Sequence, residues 1–187
     1  MSQQHFQEFL DACRRVTGAD ASPSQCVEAI APLMHALLPD AGARLTPAHR
    51  RCSDDHYTRN AILVGEHLSL YAIVWKPGQW TPVHDHGSWG VVGVLEGALH
   101  ERAWLRTSPD DGRDRDIRLV PGGILVLGPG SVTSFVPNPD HIHVTGVPVE
   151  ASPVLSLHLY GRNMNSFHMY DTAAGTRRRI NVEHNES

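Results

Sequence analysis

The segment PGQWTPVHDHGSWGVVGVLEGAL, residues 77–99, carries the most informative pattern in this chain. It places His84 and His86 one residue apart and follows them with an apolar run that glycines interrupt. In an extended strand, residues i and i+2 point to the same face, so the two imidazoles would project together as a pair of metal ligands does. The alternative for an isolated pair is two surface or hydrogen-bonding histidines, and a metal site needs a third ligand from elsewhere.

Two helices are predicted ahead of this segment. In HFQEFLDACRRV the apolar residues recur at steps of three and four, the period of one helix face, and Gly18 is the expected stop. A second helix is expected to begin with Ser22 as its N-cap and Pro23 in its first turn. Pro32 is a point at which this helix could be interrupted or kinked, and residues 39–57 are expected to form a loop.

Short β-type runs separated by turn signals fill the chain from about residue 58. The predicted strands are NAILVG, LSLYAIVW, WTPVHDH, GVVGVLEGALHERAW, IRLV, ILVLG, SFVP, HIHVTGV and VLSLHLYG, with breaks at KPGQ, SPDDGRD, PGG, GPG and PNPD. Many short strands at close, even spacing are typical of a sandwich or a small barrel. We expect a mainly β protein with one domain over residues 1–187, in which a helical segment over about 1–45 packs on a barrel over about 55–180.

Composition excludes several classes of partner. The 187 residues are 41% hydrophobic, enough for one packed core, and the net charge of −4 with no large basic patch argues against nucleic acid. The basic run at 177–179 is expected to be a solvated tail or an edge strand. No apolar run approaches the roughly 18 residues that cross a membrane, and the first residues do not resemble a signal peptide. Three cysteines without a C-x-x-C pair fit a reducing compartment, so we expect a cytoplasmic protein.

A second H-x-H pair, His141 and His143 in HIHVTGV, is the expected source of a third metal ligand. The loop PGSVTSFVPNPD before it could return the chain to the same barrel mouth, and either histidine could reach the site. Histidine is the commonest metal ligand in proteins, and 13 histidines in this chain favour metal chemistry. The remaining histidines and the cysteines show no partner pattern and are expected to have no catalytic role.

Two further motifs could carry chemistry. In PVLSLHLYG, three leucines alternate with Ser156, His158 and Tyr160. This pattern fits a half-exposed strand with its polar face in water, and it also fits an acid/base relay that lines a polar pocket. In YTRN, Arg59 lies at the entry to the first predicted strand. An arginine there is usually solvated, but arginine is also the best side chain for bidentate binding of a carboxylate.

Taken together, these motifs resemble a known family. The segment 77–99 resembles the first conserved motif of cupins, which are small antiparallel, jelly-roll-like β-barrels that hold a metal at one mouth. YTRN, HDH, a histidine thirteen residues before the serine of SLHLY, and FHMYD at 167–171 occur in order over roughly residues 55–171. In order and spacing they resemble cysteine dioxygenase and its thiol dioxygenase relatives, and in this register His143, not His141, takes the third ligand position.

The resemblance implies one Fe(II) per chain, bound by three histidines, with O₂ as co-substrate. Many cupins supply a glutamate four or five residues after the second histidine, but here those positions are Gly90 and Val91, while Glu96 and Glu101 lie farther along. Three neutral imidazoles would leave Fe(II) with its full charge, which favours binding of a substrate thiolate. The ligands implied in this sequence are His84, His86 and His143.

The resemblance also implies roles at the substrate. Arg59 would bind a substrate carboxylate, Tyr160 would donate a hydrogen bond or a proton beside the substrate, and Ser156 and His158 would hold the Tyr160 hydroxyl. The implied reaction inserts both atoms of O₂ into a small thiol carboxylate and gives a sulfinic acid. Animal members cross-link this tyrosine to a cysteine five residues after the second metal histidine. Val91 stands at that spacing here, so no cross-link is expected, as is typical of bacterial members.

L-cysteine is the substrate that the resemblance favours, because relatives that prefer 3-mercaptopropionate tend to carry glutamine at the position of Arg59 and a different arginine later in the chain. Arg162 is the nearest counterpart of that later arginine here. Another thiol carboxylate, such as mercaptosuccinate, stays open. A non-catalytic metal-binding cupin sensor and a cupin isomerase or other enzyme with zinc or manganese are alternatives of other classes. The sequence leaves open the preferred thiol, the oligomeric state and any part of His141 at the metal.

Overall fold

A computed structural model describes residues 2–18, 20–137 and 141–185, with side chains from residue 6 onward. Helix α1 spans Ser2–Thr17 and helix α2 spans Pro23–Ala41, and short 3-10 turns follow at Gly42–Arg44 and Pro47–Arg50. These turns lie within the segment that was expected to be loop. Neither helix in the described part of the chain is long and apolar enough to cross a lipid bilayer.

Helix α2 begins as predicted, with Ser22 as its N-cap. The Ser22 hydroxyl accepts from the Gln25 amide at 3.4 Å, and the Gln25 side chain accepts from the Ser22 amide at 2.9 Å, which completes a capping box. The helix is not interrupted at Pro32, and it continues through Pro39 as well. Since α2 packs against β3 and β6 (bounds below), the burial of its apolar face, which includes Met34, offsets the backbone hydrogen bonds that the prolines remove.

In the part of the chain that the structure describes, ten strands follow the helices, and all pairs between them are antiparallel. The strands are β1 (Thr58–Val64), β2 (Ser69–Trp75), β3 (Gly90–Glu96), β4 (Leu99–Arg106), β5 (Leu119–Leu127), β6 (Val132–Phe135), β7 (Ile142–Gly146), β8 (Val154–Tyr160), β9 (Ser166–Asp171) and β10 (Thr176–Asn181). One sheet has the order β1-β2-β8-β3-β6, a second has the order β5-β4-β7, and β9 pairs with β10. The mainly β architecture with leading helices is therefore confirmed.

Two predicted strand boundaries are wrong. The run GVVGVLEGALHERAW forms two strands, because the chain reverses at Gly97 between β3 and β4. Gly97 has a φ of +74°, and a Cβ there would lie 2.4 Å from the carbonyl oxygen of Pro153, so only glycine fits. The runs IRLV and ILVLG contribute to one strand, β5, which pairs with β4 on both sides of the predicted break at 121–123.

The segment WTPVHDH is not a continuous strand, contrary to the prediction. It makes isolated bridges instead, between Trp80 and Gly146 and between His84 and both His143 and Met169. Partners that are distant in sequence therefore set the conformation around His84, and a local pattern does not contain them.

The sequence pattern also does not predict the pair β9 and β10. The basic run at 177–179 lies on β10, so the edge-strand alternative is the one that the structure supports. The Arg177 guanidinium donates to the Asp114 carboxylate at 2.8 Å, which joins this strand to a surface loop.

Strand β8 is buried on both faces, because α2 and the barrel interior cover opposite sides of it. Leu157 and Leu159 belong to the apolar cluster that also contains Met34 of α2, whereas Tyr160 belongs to the cluster that fills the barrel. Ser156 and His158 are buried as well. The half-exposed strand considered for PVLSLHLYG is thus wrong, and its polar residues face the interior of the protein.

Candidate active site

Three histidines converge inside the barrel. Potential ligand nitrogens of His84, His86 and His143 lie within 4.8 Å of one another, and all three side chains are buried. Their backbones are coupled, since the His84 amide donates to the His143 carbonyl at 2.9 Å and the His143 amide donates back at 3.0 Å. These two bonds place two histidines from separate parts of the sequence side by side. His143, not His141, completes this cluster.

The His84 and His143 rings each use one nitrogen in a contact with the protein, which leaves the other nitrogen of each ring available to a metal ion. Nδ1 of His84 lies 3.1 Å from the Pro82 carbonyl oxygen. Nδ1 of His143 lies 3.2 Å from a Glu101 oxygen, close enough for the charge to act although the direction is not that of an ideal hydrogen bond. Nε2 of His143 and Nδ1 of His86 are buried without a hydrogen-bond partner in the described part of the chain. Buried polar nitrogens need a partner, and the cluster fits a metal ion that would supply one.

Electrostatics favour the neutral form that a metal requires. Burial lowers the pKa of His84 and of His86 well below the usual histidine value, and repulsion among the neighbouring imidazoles adds to this effect. Burial also lowers the pKa of His143, although Glu101 partly opposes the shift. A neutral imidazole keeps a lone pair for coordination, so the three rings are ready to bind a cation at neutral pH.

Glu101 is a residue of the site that the sequence analysis missed. It was set aside as too distant to be a metal ligand, yet its carboxylate contacts both His143 and His141, the latter at 3.0 Å. Burial alone would raise the pKa of Glu101, but its contacts with the His141 and His143 rings outweigh burial and hold this pKa well below its usual value. The ionised carboxylate therefore lies behind one ring of the cluster, where it orients that ring and raises its basicity.

Asp85, between the first two histidines, is a second buried acid that the sequence analysis missed. It accepts from the His168 amide at 3.0 Å, from the His168 ring at 3.0 Å and from the Tyr170 hydroxyl at 2.9 Å. These bonds tie the irregular segment around His84 and His86 to β9. They explain how that segment keeps a fixed conformation without belonging to a regular strand.

A chain of hydrogen bonds runs across β8 to Tyr160. The Tyr160 hydroxyl lies 3.2 Å from Nδ1 of His158, whose Nε2 lies 2.9 Å from the Ser156 hydroxyl. Trp75 of β2 extends the chain, because its indole nitrogen donates to the Ser156 hydroxyl at 3.0 Å. The structure thus brings together the predicted Ser156, His158 and Tyr160 and adds a tryptophan that the sequence pattern does not reveal.

The partners of Ser156 set the direction of this chain. The Ser156 oxygen accepts from the indole N–H, which can only donate, and Nε2 of His158 is the acceptor that the described contacts offer to the buried Ser156 hydrogen. Nδ1 of His158 then carries the proton and donates to the Tyr160 oxygen, which leaves the phenol hydrogen for a group in the cavity. Burial, reinforced by His143 and Arg59, lowers the pKa of His158 to about 3, and burial raises the pKa of Tyr160 above its usual value. Both groups are therefore neutral at pH 7.

Arg59 supplies a cation to the same cavity. Its Nη2 donates to the Met164 carbonyl, and its guanidinium lies 4.5 Å from the centre of the Tyr71 ring. Its Nη1 is buried and has no hydrogen-bond partner among the described residues. The cavity is small and is lined by Arg59, the three histidines, Tyr160 and mostly apolar side chains, with no aspartate or glutamate among its lining residues. It is suited to a small anion.

Arg162, the alternative arginine, is engaged elsewhere. Its Nε and Nη2 donate to the His86 carbonyl at 3.1 and 2.9 Å, and its Nη1 donates to the Asn163 carbonyl at 3.4 Å. It does not line the cavity. Arg162 therefore supports the backbone of one of the clustered histidines, and Arg59 is the arginine that faces the site.

The residue opposite Tyr160 is Gly90, not Val91. In the pairing of β3 with β8, Gly90 lies opposite Tyr160 and Val91 lies opposite Leu159, where it packs in the apolar cluster under α2. A Cβ on Gly90 would lie 2.3 Å from the Phe135 ring, so this ring fills the space that a side chain would need. The residue that lies opposite Tyr160 therefore carries no thiol, and neither does Val91.

This chain is similar to solved structures and to one protein-family model. Among solved structures, a protein with a double-stranded β-helix domain from Klebsiella pneumoniae is 14% identical, with a TM-score of 0.50, over 68% of this chain and 97% of its own. An RmlC-like cupin from Desulfovibrio desulfuricans is 17% identical, with a TM-score of 0.40, over 59% of this chain and 87% of its own. These likenesses concern the fold alone. The model of the family described as cysteine dioxygenase type I matches residues 25–173, well over half of the 187 residues. This chain therefore belongs to the cysteine dioxygenase type I family.

Proposed function

We propose that this protein is an Fe(II)-dependent dioxygenase of small thiol monocarboxylates, with L-cysteine as the leading substrate and cysteine sulfinic acid as the product. The observation that carries this proposal is the presence, in one small cavity, of a neutral three-histidine cluster and an arginine with a free buried donor. The histidines would bind a metal ion, and the arginine would bind the carboxylate of the substrate. Membership of the cysteine dioxygenase type I family supports the chemistry that joins them.

His84, His86 and His143 would hold the iron. Bound there, Fe(II) would supply a site at which a thiolate and O₂ can meet. All three ligands are neutral, so the anionic donor that stabilises the metal charge would be the sulfur of the substrate. Glu101 contributes from behind His143, where it keeps that imidazole in the tautomer with Nε2 free.

The substrate would be oriented by Arg59. A carboxylate beside its Nη1 would satisfy a buried donor that otherwise has no partner, which is worth more than the same contact in water. No second free cation lines the cavity among the described residues, so the extra carboxylate of mercaptosuccinate would be buried without a partner. A monocarboxylate therefore fits better than a dicarboxylate.

Tyr160 would present its hydroxyl hydrogen to the reacting groups. The direction of the chain from Trp75 keeps this hydrogen free, and the raised pKa keeps it on the oxygen at neutral pH. The hydroxyl can thus donate a hydrogen bond wherever negative charge develops on oxygen. In the overall reaction both oxygen atoms join the sulfur, and sulfur supplies all the electrons that reduce O₂, so no external reductant is required.

An oxygen-electrode assay tests the proposal. Iron-loaded protein should consume O₂ with L-cysteine and 3-mercaptopropionate, more slowly with mercaptosuccinate and least with cysteamine, which lacks a carboxylate. Mass spectrometry should find one sulfinate formed for each O₂ consumed. Metal analysis of protein purified without added metal is the companion measurement. Zinc or manganese in place of iron, or no O₂ uptake with any of these thiols, would contradict the proposal.

Replacing Trp75 by phenylalanine should lower kcat about tenfold, because Ser156 loses the donor that anchors its hydroxyl beside His158. Tyr160→Phe should lower kcat about a hundredfold, since it removes the phenol hydroxyl that donates to the reacting groups. Iron content should stay that of the wild type in both variants. Trp104→Phe is the matched control, because Trp104 lies on β4 and does not line the cavity. A Trp75→Phe variant as active as this control would show that the tryptophan does not act through the chain.

A further inference from the structure

We propose that residues 182–185, here called the strap, position Arg59 and thereby set the affinity of the site for the substrate carboxylate. This inference rests on the proposed function only in assigning Arg59 to that carboxylate. The strap does not line the cavity and contacts no residue of the histidine cluster in the interactions described. Its residues would act through Arg59 and are positioning residues.

The strap completes the outer edge of β1. Strand β1 ends the order of the five-stranded sheet, so its far side would otherwise carry unpaired backbone groups. The Asn185 amide donates to the Arg59 carbonyl at 2.8 Å, and the Ala61 amide donates to the Asn185 carbonyl at 2.8 Å. The Asn185 side chain also donates to the Asn60 side chain at 2.9 Å. These bonds fix the backbone from which the Arg59 side chain extends.

The strap also supports the guanidinium through Tyr71. The ring of His184 lies 5.4 Å from the Tyr71 ring, at an interplanar angle of 60°. Tyr71 is fully buried, and the Arg59 guanidinium lies 4.5 Å from the centre of its ring. His184 therefore holds in place the aromatic surface on which the arginine packs, and an arginine on such a surface gains both attraction and a fixed orientation.

A third contact reaches the acceptor of Arg59. The Val182 amide donates to the Asn165 carbonyl at 2.9 Å. The preceding residue, Met164, supplies the carbonyl that accepts from Nη2 of Arg59. One short segment thus holds the backbone of the arginine, the ring beneath it and the neighbour of its hydrogen-bond acceptor.

This arrangement has a specific energetic consequence. An arginine side chain loses considerable rotamer freedom when it is held still, and a site that holds it before the substrate arrives avoids that cost during binding. Without the strap, the substrate would have to order Arg59 itself. The affinity should therefore fall for ligands that bind this guanidinium, and it should not change for a thiol without a carboxylate.

Isothermal titration under nitrogen tests the inference with iron-loaded protein and two probes, 3-mercaptopropionate and cysteamine. The first carries a carboxylate and the second does not. Two variants disrupt the strap: His184→Ala combined with Asn185→Ala, which keeps the backbone bonds, and deletion of residues 184–187. Deletion of residues 186–187 alone and His67→Ala, at a highly exposed side chain, are the matched controls.

The strap variants should raise the Kd of 3-mercaptopropionate about tenfold, more in the deletion than in the double substitution, while the Kd of cysteamine changes by less than about twofold. In turnover, KM for carboxylate thiols should rise with little change in kcat. Iron content should stay constant. Equal weakening of both probes would reveal a general structural role and overturn the inference, as would unchanged binding of 3-mercaptopropionate.

The failures of the two proposals are distinguishable, because binding is measured without turnover. If the wild-type protein binds 3-mercaptopropionate more tightly than cysteamine but consumes no O₂, the proposed dioxygenase activity is contradicted and the strap proposal is not. If the enzyme is active but its strap variants keep their affinity for 3-mercaptopropionate, only the strap proposal is contradicted. Wild-type protein that bound both probes equally would contradict the carboxylate-binding role of Arg59 and with it the strap proposal, whatever its O₂ uptake.

Discussion

Replacing His84 by alanine should release iron from the protein and abolish thiol-dependent O₂ uptake. The three imidazoles are the whole of the proposed ligand set, and no carboxylate lines the cavity, among the residues described, that could take the place of a missing one. Losing a residue that only orients a ligand costs about 10- to 100-fold in metal affinity, so losing the ligand itself should cost more than about 100-fold. Metal analysis after gel filtration and an oxygen electrode measure the two effects.

Glu101→Gln and His100→Ala serve as comparisons for this experiment. Glu101→Gln keeps the shape of the side chain but removes its charge, so its iron affinity should fall between those of His84→Ala and the wild type. His100→Ala removes a β4 histidine that does not line the cavity, and it should leave iron content unchanged. A His84→Ala protein that kept one iron per chain would show that the metal is held elsewhere.

Replacing Arg59 by alanine should lower kcat/KM for carboxylate-bearing thiols about 10²- to 10³-fold, because a buried carboxylate would lose the only cation that faces it in the described cavity. Cysteamine has no carboxylate, and its kcat/KM should change far less. Steady-state O₂ uptake with both thiols, each normalised to bound iron, measures the difference.

Two further variants sharpen the assignment of Arg59. Arg59→Lys should recover part of the activity, because lysine restores the charge but not the planar arrangement of donors. Arg102→Ala removes an exposed arginine from β4 and should behave as the wild type. If Arg59→Ala lowered kcat/KM equally for cysteamine and for cysteine, Arg59 would not be the partner of the substrate carboxylate.

Local periodicity predicts part of this protein well. The alternation in PVLSLHLYG correctly places Ser156, His158 and Tyr160 on one side of a strand, because side-chain direction in a strand depends only on neighbours in sequence. Whether this polar side meets water depends on the rest of the barrel, including Tyr71 and Phe135, which lie far from β8 in the sequence. The sequence therefore predicts the relay but leaves its burial open. The predicted fold class and family are confirmed, whereas the roles of the site residues stay predictions.

Residues that act across strands escaped the sequence analysis for the same reason. Glu101 reaches the His143 ring because β4 pairs with β7 in a register that sets Ala103 opposite His143, with Glu101 two residues away on the same face. No local pattern in β4 contains that register. Trp75 similarly looks like an ordinary apolar residue of β2, and only its pairing beside β8 brings the indole to Ser156.

The absence of a side chain at Gly90 bears on how this protein becomes active. Tyr160 is held by His158 and by packing around Phe135, and it faces no thiol with which it could form a covalent bond. Under the proposed function, the catalytic tyrosine is complete once the chain folds and iron binds. Product should then accumulate from the start of a reaction without a lag, and the activity of a preparation depends on how much iron-loaded protein it contains, regardless of how often that protein has already turned over.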